Sequence, residues 1–265
     1  MRGRQSIVIG ILCALIGASM ARADVIETLP TTDKVIALTF DACEAGQPVS
    51  FDRGVLDYLL ERKIPFTVFA TGRFVETNRA DVEALSKLDQ VEFENHSWSH
   101  PNTMNQFTAD AVMRQFERAQ QAIEEATGRA PQLARFPAGN YNKAGLHALE
   151  AHGLRVVHWR WATGDPDPRE SANALFNRVT TKVQPGDIVI FHINGRGVHT
   201  AEALPRIVEQ LEADGYRFVL VSDYIGTPKP RAPEPVPEAT VASLQHMVAK
   251  WISRAPMAAL TSGVN

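Results

Sequence analysis

Cysteine is almost absent from this chain. The 265 residues hold two, Cys13 and Cys43. Cys13 falls in an N-terminal leader, so Cys43 is left alone and no intramolecular disulfide can form once the leader is gone. Stability must then come from a core, and about 240 residues are enough for one large domain. A membrane span is lacking too: the leader's apolar stretch at 7–18 is too short to cross a bilayer comfortably. No Gly-rich phosphate loop follows the first strand-like segment, which counts against a nucleotide-binding sheet. Excess positive charge is missing as well. The chain carries 27 Lys+Arg against 30 Asp+Glu. The leader takes Arg2, Arg4 and Arg22 with it and no acid, so 27 − 3 leaves 24 bases against 30 acids, a net charge of −6. That argues against nucleic acid or an anionic membrane as the main partner. There are no internal repeats.

What is present begins with the leader. Residues 1–23 read as a secretory signal peptide: Arg2 and Arg4 form its basic start, and Ala21-Arg22-Ala23 is an A-x-A cleavage site. The mature chain is expected to begin at Asp24 and to be exported, to the periplasm or beyond; an uncleaved anchor is the alternative. From there strand-like and helix-like segments alternate. Strands are expected at 35–40, 66–70, 91–94, 133–136, 155–159, 187–191 and 217–221, and helices at 55–62, 78–88, 108–126, 142–152, 171–183 and 201–213. The strands are continuous apolar runs, which suits a parallel sheet covered on both faces. The expected fold class is α/β, a closed or nearly closed (β/α) barrel first and an open doubly wound sheet second. One domain is expected over 24–226, then a Pro-rich linker over 227–238 and a C-terminal helix or tail over 239–265.

Unusual residues collect after the strands, where a parallel barrel gathers its chemistry. Asp41 and Glu44 follow the first strand. The stretch Glu94-Asn95-His96-Ser97-Trp98-Ser99-His100 follows the third and sets two imidazoles four residues apart, on one face if the segment is a helical turn. Arg135 and the turn Pro137-Ala138-Gly139-Asn140 follow the fourth strand, Asp165 lies past the fifth, and His192 ends the sixth. Carboxylates, a histidine pair, an arginine and a separate histidine suit metal-assisted hydrolysis, with a carboxylate base and an imidazole acid.

These residues carry a resemblance. The chain is similar to the polysaccharide deacetylases (NodB homology, carbohydrate esterase family 4) over about 35–224. The first family motif, Thr-Phe-Asp-Asp-Gly, stands here as Thr39-Phe40-Asp41-Ala42-Cys43. The second, His-Ser/Thr-x-x-His, is complete at His96 to His100. The third reads Arg135-Phe136-Pro137-Ala138-Gly139, the fourth is weak at Gly164-Asp165-Pro166, and the fifth reads Ile190-Phe191-His192. The resemblance implies a distorted (β/α)7 barrel and hydrolysis of the acetamide of an N-acetylated sugar. It implies Asp41 as general base, Arg135 to orient it, Asp165 paired with Arg135, the N–H of Ala138 at the oxyanion and His192 as general acid. It implies a divalent ion, zinc first with cobalt, manganese or nickel as alternatives, on His96 and His100. The family's third ligand is the second Asp of motif one, here Ala42, and Glu44 is the expected replacement. Motif-three Tyr and motif-four Trp are also lost, so Tyr141, Trp161, Arg196 and His199 are the expected substrate contacts, with Trp98 or Trp159 as further stacking surfaces. Two other functions stay open: a glycan-binding relative without catalysis, and an amidohydrolase acting on another small N-acyl compound.

Overall fold

The computed structural model describes residues 24–44 and 49–225. The expected signal peptide, Pro-rich linker and C-terminal helix therefore lie outside the described residues. Among the described residues, seven strands are interleaved with seven α-helices. The strands are β1 (Val35–Ala42), β2 (Phe66–Ala70), β3 (Val91–Asn95), β4 (Leu133–Ala134), β5 (Arg155–Val156), β6 (Ile188–His192) and β7 (Arg217–Val219). All pairings between them are parallel, and the sheet runs β5-β4-β3-β2-β1-β6 with β7 also on β1. Every residue of β1 is buried, as a continuous apolar strand requires when both faces are covered.

The sheet curls because β1 serves three neighbours. Residues 39–42 pair with β2, residues 37–41 with β6, and residues 35–37 with β7. A segment before β1 then bridges the two outer strands. Ile26 pairs with Val157 beyond β5, and Thr28 with Asp187 just before β6. The result is the barrel-like member of the two expected architectures.

The helices are α1 (Arg53–Glu61), α2 (Gly72–Thr77), α3 (Arg79–Leu85), α4 (Ala109–Thr127), α5 (Lys143–Ala151), α6 (Ala172–Lys182) and α7 (Thr200–Ala213). Side chains of Asp52, Thr71, Thr108, Asn142 and Ser171 accept from first-turn N–H groups of α1, α2, α4, α5 and α6, satisfying donors a helix start leaves open. The helix expected at 78–88 is shorter, and an unexpected one precedes it. Asn78 sits at the break, donating its amide to Phe74 O and Val49 O at 2.9 Å each. The strands expected at 133–136 and 155–159 hold the ladder for two residues each, and the chain then turns into the cleft.

Candidate active site

The strand ends place Asp41, His96, Arg135 and His192 within one buried cluster. Asp41 closes the pairing of β1 with β6, opposite His192. Arg135 is wholly buried, its Cζ 3.9 Å from the centre of the Phe69 ring. It donates through NH1 to Asp41 Oδ1 at 2.8 Å, through Nε to Val157 O at 3.1 Å and through NH2 to His158 O at 3.5 Å. Burial alone would raise the Asp41 pKa, but the surrounding His96, Arg135 and His192, with the Arg135 hydrogen bond, outweigh it and hold the carboxyl down at about 2.

The histidine pair does not sit on a helix. His96 to His100 form a loop after β3 in which Ser97 has φ 69° and His100 has φ 55°. Asn95 ties this loop down, accepting from Ser97 N at 3.0 Å and donating to Phe116 O of α4 at 2.9 Å. Ser97 Oγ accepts from His100 N at 3.2 Å. The two imidazole centroids stand 4.9 Å apart. Left-handed backbone, rather than helical periodicity, brings the rings together.

His96 Nδ1 lies 2.9 Å from Arg135 O. A carbonyl can only accept, so that nitrogen carries the proton and Nε2 presents a lone pair. Burial pushes the His96 pKa down, and burial with the nearby His96 pushes His100 to about 3. Both rings are therefore neutral at ordinary pH. Yet His96 Nε2 is buried without a hydrogen-bond partner and faces Asp41 Oδ2 at 3.3 Å. Two acceptors held that close call for a cation between or beside them. A ring fixed through its other nitrogen by a backbone carbonyl is also how metal-binding histidines are oriented. On this count His96 and His100 fit an ion.

Glu44 is buried in part, and its Oε1 has no hydrogen-bond partner. Among the described residues, no three of His, Cys, Asp and Glu are grouped so as to hold an ion. Ala42 is fully buried in the hydrophobic core.

Asp165 does not meet Arg135. It pairs instead with His192, through Oδ1 to Nδ1 at 2.9 Å and through Oδ2 to the backbone N–H at 2.7 Å. Thr200 Oγ1 adds a bond to Oδ2 at 3.0 Å. The Arg135 fork is already taken by Asp41 and two carbonyls, which leaves Asp165 to hold the other histidine. Ala138 has φ 53°. Gly139 and Asn140 donate the bonds of its turn, to Phe136 O and Pro137 O, so the Ala138 N–H is outside them.

A cleft of about 210 Å³ opens over this cluster, lined among others by Asp41, His100, Ala138, Trp159, His192 and Arg196. Of the four expected substrate contacts, Arg196 lines it. Tyr141, 39% exposed, packs beside Phe136 and His158. Trp161 is committed elsewhere, its indole N–H donating to Asp187 Oδ2 at 3.1 Å. His199 stands at the N-terminal boundary of α7 without a capping side-chain bond and faces Glu202 at 3.5 Å. The stacking surface in the cleft is Trp159, which lies against His158 at 5.4 Å and 29°. Asn95, Thr200 and His158 are not among the site residues expected from the sequence. Asn95 alone had a signal there, as the residue before the histidine motif.

Comparison with known proteins places the chain in a family. A family model described as polysaccharide deacetylase matches residues 28–157. The chain is 31% identical over 202 residues to a peptidoglycan-N-acetylglucosamine deacetylase of Bacillus cereus, covering 74% of this chain and 91% of the relative. Its structure is similar to that of the Bc1960 peptidoglycan N-acetylglucosamine deacetylase, with a TM-score of 0.69, 26% identity and coverage of 78% and 95%. A CE4 family pseudoenzyme of Bacillus anthracis shares the fold, with a TM-score of 0.67, 23% identity and coverage of 76% and 69%.

Proposed function

The chain belongs to the polysaccharide deacetylase family, and on that premise we propose that it hydrolyses the acetamide of an N-acetylated sugar polymer and releases acetate. One observation carries the reading: the two mutually supporting pairs, Asp41 with Arg135 and His192 with Asp165, face one cleft. The first pair keeps a carboxylate ionised and the second presents an imidazole Nε2, as a base and an acid on one substrate must be.

Each group has a task. Asp41 takes a proton from the attacking water as its oxygen bonds to the acyl carbon. The N–H of Ala138 donates to the oxyanion that forms. The C–N bond then breaks, and His192 Nε2 gives a proton to the departing amine. Asp165 fixes the His192 tautomer and compensates the imidazolium charge, as the carboxylate of a hydrolase triad does. Trp159 offers the sugar a flat apolar face. A divalent ion, zinc by its preference for imidazole with cobalt, manganese or nickel as alternatives, would be held by His96, His100 and, as we infer, Glu44, and would supply Lewis-acid polarisation of the acyl oxygen and a lowered pKa for bound water.

We propose in addition that residues 1–23 direct export and are removed after Ala23, so that the substrate is met outside the cytoplasm. No helix among the described residues is long and apolar enough to cross a membrane. Ala42 in place of the family's second Asp favours a second reading, a glycan-binding protein without turnover. The test separates the two. The chain from Asp24 onward, stripped and reloaded with Zn²⁺, Co²⁺ or Mn²⁺, should release acetate from chitooligosaccharides or peptidoglycan fragments, and His96→Ala should abolish both turnover and metal uptake. No acetate and no bound metal under any loading would leave the binding reading alone.

A further inference from the structure

We infer that Arg196 selects substrates carrying a carboxylate on or beside the N-acylated sugar. The inference rests on the deacetylase reading and names the substrate class for the same cleft.

Three observations carry it. Arg196 lines the cleft together with Asp41, His100, Trp159 and His192. Its guanidinium has no acidic partner among the described residues, and its one side-chain bond runs to Cys43 Sγ at 3.4 Å, a weak acceptor. The other cation of the cluster, Arg135, is paired with Asp41 and wholly buried. Arg196 is thus the uncompensated positive charge at the cleft among the described residues.

The loop that bears it is rigidly placed. Asn194 donates its amide to Cys43 O and accepts from Arg196 N at 3.4 Å. Val198 N donates to Asp165 O at 3.1 Å. Between them Gly197 lies against Thr200 Oγ1 and Asp165 Oδ2, where a Cβ would collide with both. The segment is therefore fastened to Cys43 at one end and to Asp165, the partner of His192, at the other. A guanidinium held at a fixed place relative to the proton-donating histidine reads a substituent at a fixed place relative to the scissile amide. Its planar fork matches a carboxylate in two-point contact. A neutral chain of N-acetylglucosamine would leave that donor set facing water. A lactyl ether on the sugar, or a uronate next to it, would fill it, and both present the same group.

The test compares four probes on the mature chain: chitotetraose, an N-acetylglucosamine–N-acetylmuramic acid oligosaccharide, the methyl ester of the latter, and hyaluronan oligosaccharides as the uronate source. For the wild type, kcat/KM on a carboxylated probe should exceed that on the methyl ester by about tenfold to a hundredfold, the range of a charge-assisted hydrogen bond. Arg196→Gln should collapse that ratio toward one, and Cys43→Ala should lower it by releasing the guanidinium, seen in KM more than in kcat. Preference for the muramic or for the hyaluronan probe distinguishes lactyl from uronate. An unchanged ratio in Arg196→Gln overturns the inference. If the wild type turns over none of the probes, the deacetylase reading fails separately. Calorimetric titration with acid and methyl ester then decides for Arg196, since equal affinities in wild type and Arg196→Gln sink it.

Discussion

At the scale of single residues, this cleft is made by side chains whose geometry is fixed by a second residue. His192 is the clearest case. Its Nδ1 and its backbone N–H both meet the Asp165 carboxylate, so the ring has one orientation and one tautomer. Asp165→Asn keeps the shape but no longer favours a proton on Nδ1. It should lower kcat by about a hundredfold to ten-thousandfold, the usual contribution of a positioned acid or base, with KM little changed. A loss of stability alone, with kcat unchanged in the folded variant, would falsify the role given to the pair. The backbone shows the same economy of means. Of the four non-glycine residues at positive φ among those described, His100 and Ala138 line the cleft and Ser97 lies in the loop that carries His100. Strain of this kind costs of order 1–3 kcal/mol per residue and persists where function needs it. Ala138→Gly removes it without removing the N–H. It should stabilise the fold by about 1 kcal/mol, read as a rise of about 2–4 °C in the thermal midpoint of a domain this size. Glu44 carries the boldest claim at this scale. Glu44→Ala should weaken zinc binding by about tenfold or more in a calorimetric titration, while His96 and His100 remain in place; unaltered binding would remove Glu44 from the ligand set.

At the scale of elements, the order of strands and helices was legible and the details of the cleft were not. Continuous apolar runs and N-capping residues located β1, β2, β3, β6, α4, α5, α6 and α7 to within a residue or two. The two-residue strands β4 and β5 read as longer, because Phe136 and Val157 are as apolar as strand residues while their backbones already turn toward the cleft. Motif spacing gave the cast of the site, yet it could not tell which carboxylate meets which partner. That Asp165 holds His192 rather than Arg135 depends on the chain just past β5 presenting Val157 O and His158 O to the guanidinium, a tertiary fact with no sequence period. Strand β3 shows a further feature hidden from pattern reading. Glu92 and Glu94 point into the fold and are more than nine-tenths buried. Glu92 accepts from Val221 N at 3.1 Å and Ser222 N at 3.3 Å just past β7, and Glu94 from Gln132 N at 2.9 Å and Leu133 N at 2.6 Å at the start of β4. These carboxylates therefore satisfy strand ends that the curled sheet leaves unpaired. Burial raises the Glu92 pKa above its ordinary value. The folded chain then holds a proton that the unfolded chain has released, so stability should fall as pH rises from the ordinary glutamate range through the raised value. Glu92→Gln keeps an acceptor and removes the titration. Denaturant midpoints measured from pH 4 to 8 should be flatter for the variant than for the wild type, and parallel curves would refute this account of the strand.

At the scale of the molecule, the seam of the barrel matters as much as its strands. β5 and β6 do not pair with each other; the chain before β1 lies between them. Ile26 N donates to Val156 O at 2.9 Å, His158 N donates to Ile26 O at 2.8 Å, and Leu29 N donates to Gly186 O at 2.7 Å. Leu29 itself is buried in the cluster with Val35, Val157, Ile188 and Val219. The seam thus fixes the β5 side of the cleft, from which the guanidinium of Arg135 takes two of its three partners and on which Trp159 stands. Its loosening should be felt in the site as well as in the core. Leu29→Ala removes a buried anchor from the seam and should cost about 2–4 kcal/mol, the range for truncating a core leucine. Glu27→Ala, on the exposed side of the same segment, should shift the denaturant midpoint by less than about 0.5 kcal/mol equivalent. The two variants share a backbone path, so the comparison isolates the packing of the seam. If Leu29→Ala costs no more than Glu27→Ala, the barrel holds without its seam, and the coupling from the first residues of the domain through β5 to Arg135 and Asp41 does not exist.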